Sequence, residues 1–246
     1  MFVRFIFTVV LSFLFSCGSS NQTAPHKSLE AKPSEQEITS KAYHGAFKIY
    51  PSDESANDPT LLIFLKNLKK VVAKKDTSGL FKILDSEIVV SYGGALFGIK
   101  EFSTEWQLNF PNQSKLWPGL KRILSLGGTF EDPDKHIFCI PYTHSDKAFN
   151  KLNYDFNWYL TAVCISNHVI VYQAPKTKST RLATLSYDVV EIIPEDDESG
   201  FIKIQTLDKK VKGYVKEKDL ILTSAPSLGI IKKGNNWKIT EYAPYD

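Results

Sequence analysis

The sequence predicts an α+β protein, with a mainly helical N-terminal domain followed by a small β-barrel. Two observations carry this. From about residue 59 to 130 apolar residues recur at helical spacing, and beyond 130 they fall into short runs separated by turn residues. The 246 residues are enough to bury two cores. The expected boundaries are a signal peptide over 1–16, a flexible stalk over 17–58, a helix-rich α+β domain over 59–160 and a β domain with a C-terminal strand extension over 161–246.

The N-terminus reads as a targeting segment. Arg4 supplies the positive charge and Phe5 to Phe15 form an apolar run, too short to span a bilayer. Leu14-Phe15-Ser16-Cys17 then closes the run, with the polar stretch Gly18-Ser19-Ser20-Asn21-Gln22 behind it. This resembles the lipobox of bacterial lipoproteins. The resemblance implies a diacylglycerol thioether on Cys17, cleavage before that residue and an acyl chain such as palmitate on the freed amine. Several chains together hold a protein to a bilayer far more firmly than one. The other reading is an ordinary secretory signal cleaved near Ser16.

The stalk follows from composition, because residues 18–58 are rich in Ser, Thr, Glu, Lys, Ala and Pro and carry few apolar groups to offset the cost of ordering. At its far end Tyr43, Phe47, Ile49 and Tyr50 fit a strand or arm docked on the first domain. Leu61, Leu62, Phe64, Leu65, Leu68, Val71 and Val72 then set one face of an amphipathic helix whose other face carries lysines. Asp76-Thr77-Ser78-Gly79 breaks it and caps a short helix with Leu80, Phe81 and Leu84. After the glycine-rich Ser91 to Gly98, an amphipathic segment surrounds Trp106. Ser114 opens a further helix carrying Trp117, Leu120, Ile123 and Leu124, which ends at Gly127-Gly128.

Strands are expected over Ile137 to Tyr142, Trp158 to Ile165, His168 to Tyr172, Ala183 to Leu185 and Val189 to Ile193. Further ones follow over Phe201 to Gln205, Gly213 to Val215, Ile230-Ile231 and Trp237 to Thr240. Within this region Val169 to Pro175, Ser179, Leu182 to Leu185, Val189 to Ile193, Gly200-Phe201 and Gly213-Tyr214-Val215 fall in the order of a bacterial SH3-like (SH3b) domain. The resemblance makes the predicted barrel SH3-like and implies a cell-envelope setting, since many such domains bind cell-wall peptides or pack on a catalytic neighbour. The ordered region is also similar to uncharacterised exported SH3 domain-containing proteins. The shared elements are Ser91-Tyr92-Gly93-Gly94, Trp106, Trp117 and Leu126-Gly127-Gly128-Thr129-Phe130.

Chemistry is sparse. The net charge of +3 is spread without a long basic run, which excludes a nucleic-acid footprint. His136, Cys139, His144, Cys164 and His168 are the metal-type residues, but their spacing matches no dedicated site, so no metal or cofactor is expected. Cys139 and Cys164 fit either a disulfide or two buried thiols, and neither sits where a loop enters a helix, as a catalytic thiol would. Glu101 and Glu105 share a helix face without a visible cleft. Gly93-Gly94 and Gly127-Gly128 lack the lysine of a phosphate loop, and Glu195-Asp196-Asp197-Glu198 reads as a solvated hairpin tip. Tyr172, Tyr187 and Tyr214 are the candidate binding residues, lining a shallow peptide groove. The sequence thus points to a lipid-anchored envelope binding module, not an enzyme, with the membrane and a peptidoglycan peptide or an envelope protein as partners. The alternatives are a cell-wall hydrolase or accessory domain, and a purely architectural surface protein.

Overall fold

Asp58 is where the helical part begins. Its carboxylate accepts from the N–H groups of Thr60 (2.7 Å) and Leu61 (3.3 Å), and Pro59 takes the first helical position, where its missing N–H costs nothing. Helix α1 (Pro59–Lys74) buries Leu61, Leu65, Leu68 and Val72, four residues spaced to share one face, and stops at Lys75 in the left-handed conformation. The Asp58 carboxylate also pairs with Lys232 at 2.7 Å, and these contacts hold it below the usual carboxylate range. Asp76 caps α2 (Thr77–Ile83) through the N–H of Gly79 at 2.9 Å.

The computed structural model describes residues 41–94, 96–152, 154–195 and 199–244, so Cys17 and the signal segment lie outside the described residues. Helix α2 runs directly into strand β1 (Leu84–Ser91), followed by β2 (Leu96–Phe97), α3 (Ile99–Glu105), α4 (Leu116–Ile123), β3 (Thr129–Phe130), β4 (Ile137–Ile140) and α5 (Asp146–Asn150). Seven strands come next, β5 (Thr161–Cys164), β6 (Val169–Tyr172), β7 (Arg181–Leu185), β8 (Val189–Ile192), β9 (Phe201–Thr206), β10 (Lys212–Lys216) and β11 (Leu220–Leu222). The hairpin β12 (Ser227–Lys233) and β13 (Asn236–Ala243) ends the described chain.

These strands form two sheets, and the result corrects the expected fold class. The protein is mostly β and is not a mainly helical domain followed by a small SH3-like barrel. One sheet has six strands in the order β2-β1-β13-β12-β4-β3; the other has seven in the order β11-β5-β8-β9-β10-β6-β7. The C-terminal hairpin, expected as an extension of the second domain, lies at the centre of the first sheet. There β13 runs parallel to β1 (Leu84 opposite Ile239, Val89 opposite Glu241) and β12 runs antiparallel to β4. Helical periodicity was read correctly for α1, α2 and α4. It does not extend to the whole region, because β1 between them is held by β13, about 150 residues further along the chain (Leu84 opposite Ile239).

The seven-stranded sheet curls around its own core of Ala162, Cys164, Val169, Val171, Leu185, Val190, Ile204, Val215 and Leu220. Alternation along a strand sends neighbours to opposite faces. Accordingly Val163, Val189 and Ile221 belong to the other core, with the residues of α1, α4 and the six-stranded sheet. Strands β5, β8 and β11 are therefore apolar on both faces, and they join the two sheets through one buried layer.

Residues 41–50, expected in the stalk or on the first domain, lie along the seven-stranded sheet. Ala42 bridges to Thr184 and Lys48 to Asp188, and the N–H of Val189 donates to the carbonyl of Phe47 at 2.9 Å. Phe47 and Ile49 pack into the shared core. Composition missed this because the apolar residues that anchor the arm are few and spaced as a strand.

Gly213 marks a close approach of β10 to β6. A Cβ there would stand 2.5 Å from the Tyr172 carbonyl oxygen and 2.7 Å from Val171 Cγ1. Backbone cannot yield as a flexible side chain can, so Gly213→Ala is expected to cost about 2 kcal/mol as overpacking. A thermal melt would check this, with an unfolding midpoint within a degree of wild type counting against it.

Candidate functional site

A cleft of about 380 Å³ opens at one face of the six-stranded sheet, against the segment linking β11 to β12 and the turn before α5. Its polar wall is built by strand register. Gly229 on β12 stands opposite Cys139 on β4 and opposite Glu241 on β13. A Cβ on Gly229 would come within 2.9 Å of the Glu241 Cβ, so the missing side chain leaves room for the glutamate. The Ser227 hydroxyl donates to Glu241 Oε1 at 2.9 Å. The Tyr92 hydroxyl also bonds this carboxylate, and partial burial together with that neighbour holds the phenol above its ordinary range. Glu131, just after β3, accepts from the Thr129 hydroxyl at 2.9 Å. Asp146 opens α5 on the same cleft, and Trp158 supplies an aromatic wall packed on Phe149.

Among the described residues three carboxylates therefore face this cleft, and no Lys or Arg lines it. His144 is also in the wall but adds no positive charge. Its Nε2 lies 3.0 Å from the Ala225 carbonyl oxygen and its Nδ1 lies 3.2 Å from the Thr143 hydroxyl. The first contact requires a proton on Nε2 and leaves Nδ1 as acceptor. Burial pushes the imidazole down to about 4, so it is neutral at pH 7.

Comparison with protein families, with curated proteins and with solved structures finds no match for this chain. The cleft must be read from its own chemistry.

That chemistry is poor for nucleophilic catalysis. The Cys139 thiol lines the cleft, but burial and the charges of Glu131, Glu241 and Asp146 push it well above its usual range. A reactive thiol needs the reverse setting. Both nitrogens of His144 are already engaged, so neither is placed to take a proton from the sulfur. Cys164 is buried in the core of the seven-stranded sheet, and its thiol is likewise raised by burial. Both cysteines are free, so the disulfide alternative is not realised.

Two of the candidate tyrosines, Tyr172 and Tyr214, are neighbours across β6 and β10, and the third, Tyr187, is not with them. Tyr172 is 3 % exposed, and its ring meets Phe201 edge-on at 5.7 Å, so it offers no groove surface. Tyr214 is its register partner on β10. It donates its hydroxyl to Glu195 at 2.8 Å, with the Lys203 ammonium over its ring. Tyr187 lies apart, in the turn between β7 and β8, tilted against Tyr50. Of the metal-type residues, Cys139 and His144 meet in the cleft, while His136 and His168 are exposed on turns. Among the described residues one grouping, Asp132, Asp134 and His136, brings possible metal-ligand atoms together. Its Asp132 carboxylate is already used by the backbone N–H groups of His136 and Ile137. Glu101 and Glu105 lie on α3 and do not line the cleft.

Sequence reasoning missed Glu131, Asp146 and Glu241. Alternation alone would send Glu241 to the same face as the buried Trp237 and Ile239; a bulge at Thr240, between the pairs Ile230–Ile239 and Gly229–Glu241, shifts the register and turns it to the cleft, and no local sequence signal marks that bulge.

Proposed function

We propose that this protein is a lipid-anchored envelope protein that acts by binding, and that the cleft receives a cationic group of a peptide ligand. The observation that carries this reading is the set of three carboxylates, Glu131, Asp146 and Glu241, around a partly apolar cleft that no Lys or Arg lines among the described residues. Carboxylates held in a site of lowered dielectric attract an ammonium more strongly than the same groups in open water. Glu241 and Glu131 are each oriented by a neighbouring hydroxyl, which favours a fixed ligand pose. The Leu14 to Cys17 segment supports an envelope setting in which cell-wall peptides bearing a diamino-acid ammonium are at hand. The wall of Trp158 and Ile137 would take the apolar part of such a peptide.

The test is calorimetric titration with a short peptide carrying one side-chain ammonium, beside the same peptide with that amine acetylated. The expected result is binding of the free amine at least tenfold tighter than the acetylated form, equivalent to about 1.4 kcal/mol. Glu131→Gln combined with Glu241→Gln should remove that preference while the unfolding midpoint stays near wild type. Equal binding of the two peptides would refute the cationic reading. Cleavage of the peptide would instead bring back the hydrolase alternative.

A further inference from the structure

On the helical side of the molecule lies a groove of the opposite character. It runs between the second half of α1 and the start of α4, with a volume of about 760 Å³, within the range of ligand-binding pockets. Val72, Ala73, Trp117, Pro118 and Leu124 make an apolar floor. Lys69, Lys75, Lys115 and Lys121 stand around it, and among the described residues no Asp or Glu lines it.

The charge asymmetry is written in the sequence. Helix α1 contains Lys66, Lys69, Lys70 and Lys74 and no acidic residue, and the stretch from Trp106 to Phe130 contains Lys115, Lys121 and Arg122 and no acidic residue. Arg122 is committed to the carbonyl oxygens of Glu217 and Leu220. Among the described residues none of the four groove lysines has a carboxylate partner, although six ion pairs form elsewhere. An amphipathic helix ordinarily scatters both signs over its solvent face. Packing two helices that each lack acids concentrates positive potential over an apolar trough.

We propose that this groove binds a long-chain carboxylate, with the alkyl chain along the apolar floor and the carboxylate held by the lysine rim. Charge complementarity selects an anion, and the concave apolar floor selects a flexible chain over a compact polar anion. Lysine suits the rim because its four-carbon stem can lie along the alkyl chain while the ammonium reaches the head group. Phe110, 64 % exposed, lies in the loop just before Asn112, which lines the groove. This inference is independent of the acidic cleft, whose lining residues are entirely different.

Calorimetric titration with decanoate, decanol and decyltrimethylammonium provides the test. Decanoate is expected to bind one to one, at least tenfold tighter than decanol, with decyltrimethylammonium weakest. Lys115→Gln with Lys121→Gln should weaken decanoate at least fivefold and leave decanol unchanged. Ala73→Trp, an exposed position on α1, should fill the trough and abolish both, and the unfolding midpoint of each variant establishes that it is folded. Equal affinity for decanoate and decanol, binding without saturation at one equivalent, or decanoate binding unaffected by the lysine changes would each overturn the proposal. So would retention of an acidic peptide or of anionic vesicles by a protein that does not bind decanoate.

Discussion

Lys48→Ala is expected to lower stability by about 3 kcal/mol and to free the N-terminal arm. The Lys48 ammonium lies 2.7 Å from Asp188 Oδ1 and 2.7 Å from the Ser186 carbonyl oxygen, and the other Asp188 oxygen accepts from the Ser186 N–H at 2.7 Å. Asp188 is 1 % exposed. Removing the cation leaves a buried carboxylate with backbone support alone, and breaking a buried pair from one side costs about 3–5 kcal/mol. We expect the lower end of that range because the Ser186 N–H still serves one oxygen. The comparison is Lys210→Ala, whose pair with Asp208 is solvent-exposed and which should cost less than about 1 kcal/mol. Denaturant unfolding measures both, and limited proteolysis should cut Lys48→Ala within residues 41–50 before the rest of the fold opens. Equal losses in the two variants would show that the arm is not clamped by this pair.

Acidification from pH 7 to pH 4 is expected to remove about 3 kcal/mol through His144 alone. Its imidazole is pushed down to about 4 by burial, against about 6.5 in an unfolded chain. Because the folded value is the lower one, the unfolded state takes up the proton first. Stability is complete above pH 6.5, falls between 6.5 and 4, and loses at most about 1.36 kcal/mol per unit of the interval. His144→Gln should flatten this part of the pH profile. Asp58 and Asp85, held low chiefly by Lys232 and Lys233, add their own loss at more acidic pH, below the carboxylate's unfolded value, so the two effects separate on the pH axis. Urea midpoints recorded from pH 7 to 4 would decide the matter, since parallel profiles for His144→Gln and wild type would remove His144 as the cause.

What could be read from the sequence divides along physical lines. Helices α1 and α2 announce themselves locally, through apolar residues at helical spacing and through Asp76 as the cap between them, because their hydrogen bonds close within four residues. Most strands of the seven-stranded sheet were also legible, since their partners lie close along the chain and turns punctuate them. β1 was not, even though Ile88-Val89-Val90 is a β-branched run, because its neighbour β13 lies near the other end of the sequence. The site followed the same rule. Cys139 and His144 could be named from residue type alone, but their meaning changed once Glu131 and Glu241 were beside them, and register put Glu241 there.

The central place of β12 and β13 also governs synthesis of the chain. A ribosome delivers β1 and β4 long before the two strands that belong between them, so no growing polypeptide that stops short of residue 236 contains the complete sheet. The seven strands from β5 to β11 are contiguous in sequence, and the last of them ends at Leu222, before β12 and β13 are made. The acidic cleft, with one wall on β13, is the last part of the architecture to acquire its pieces.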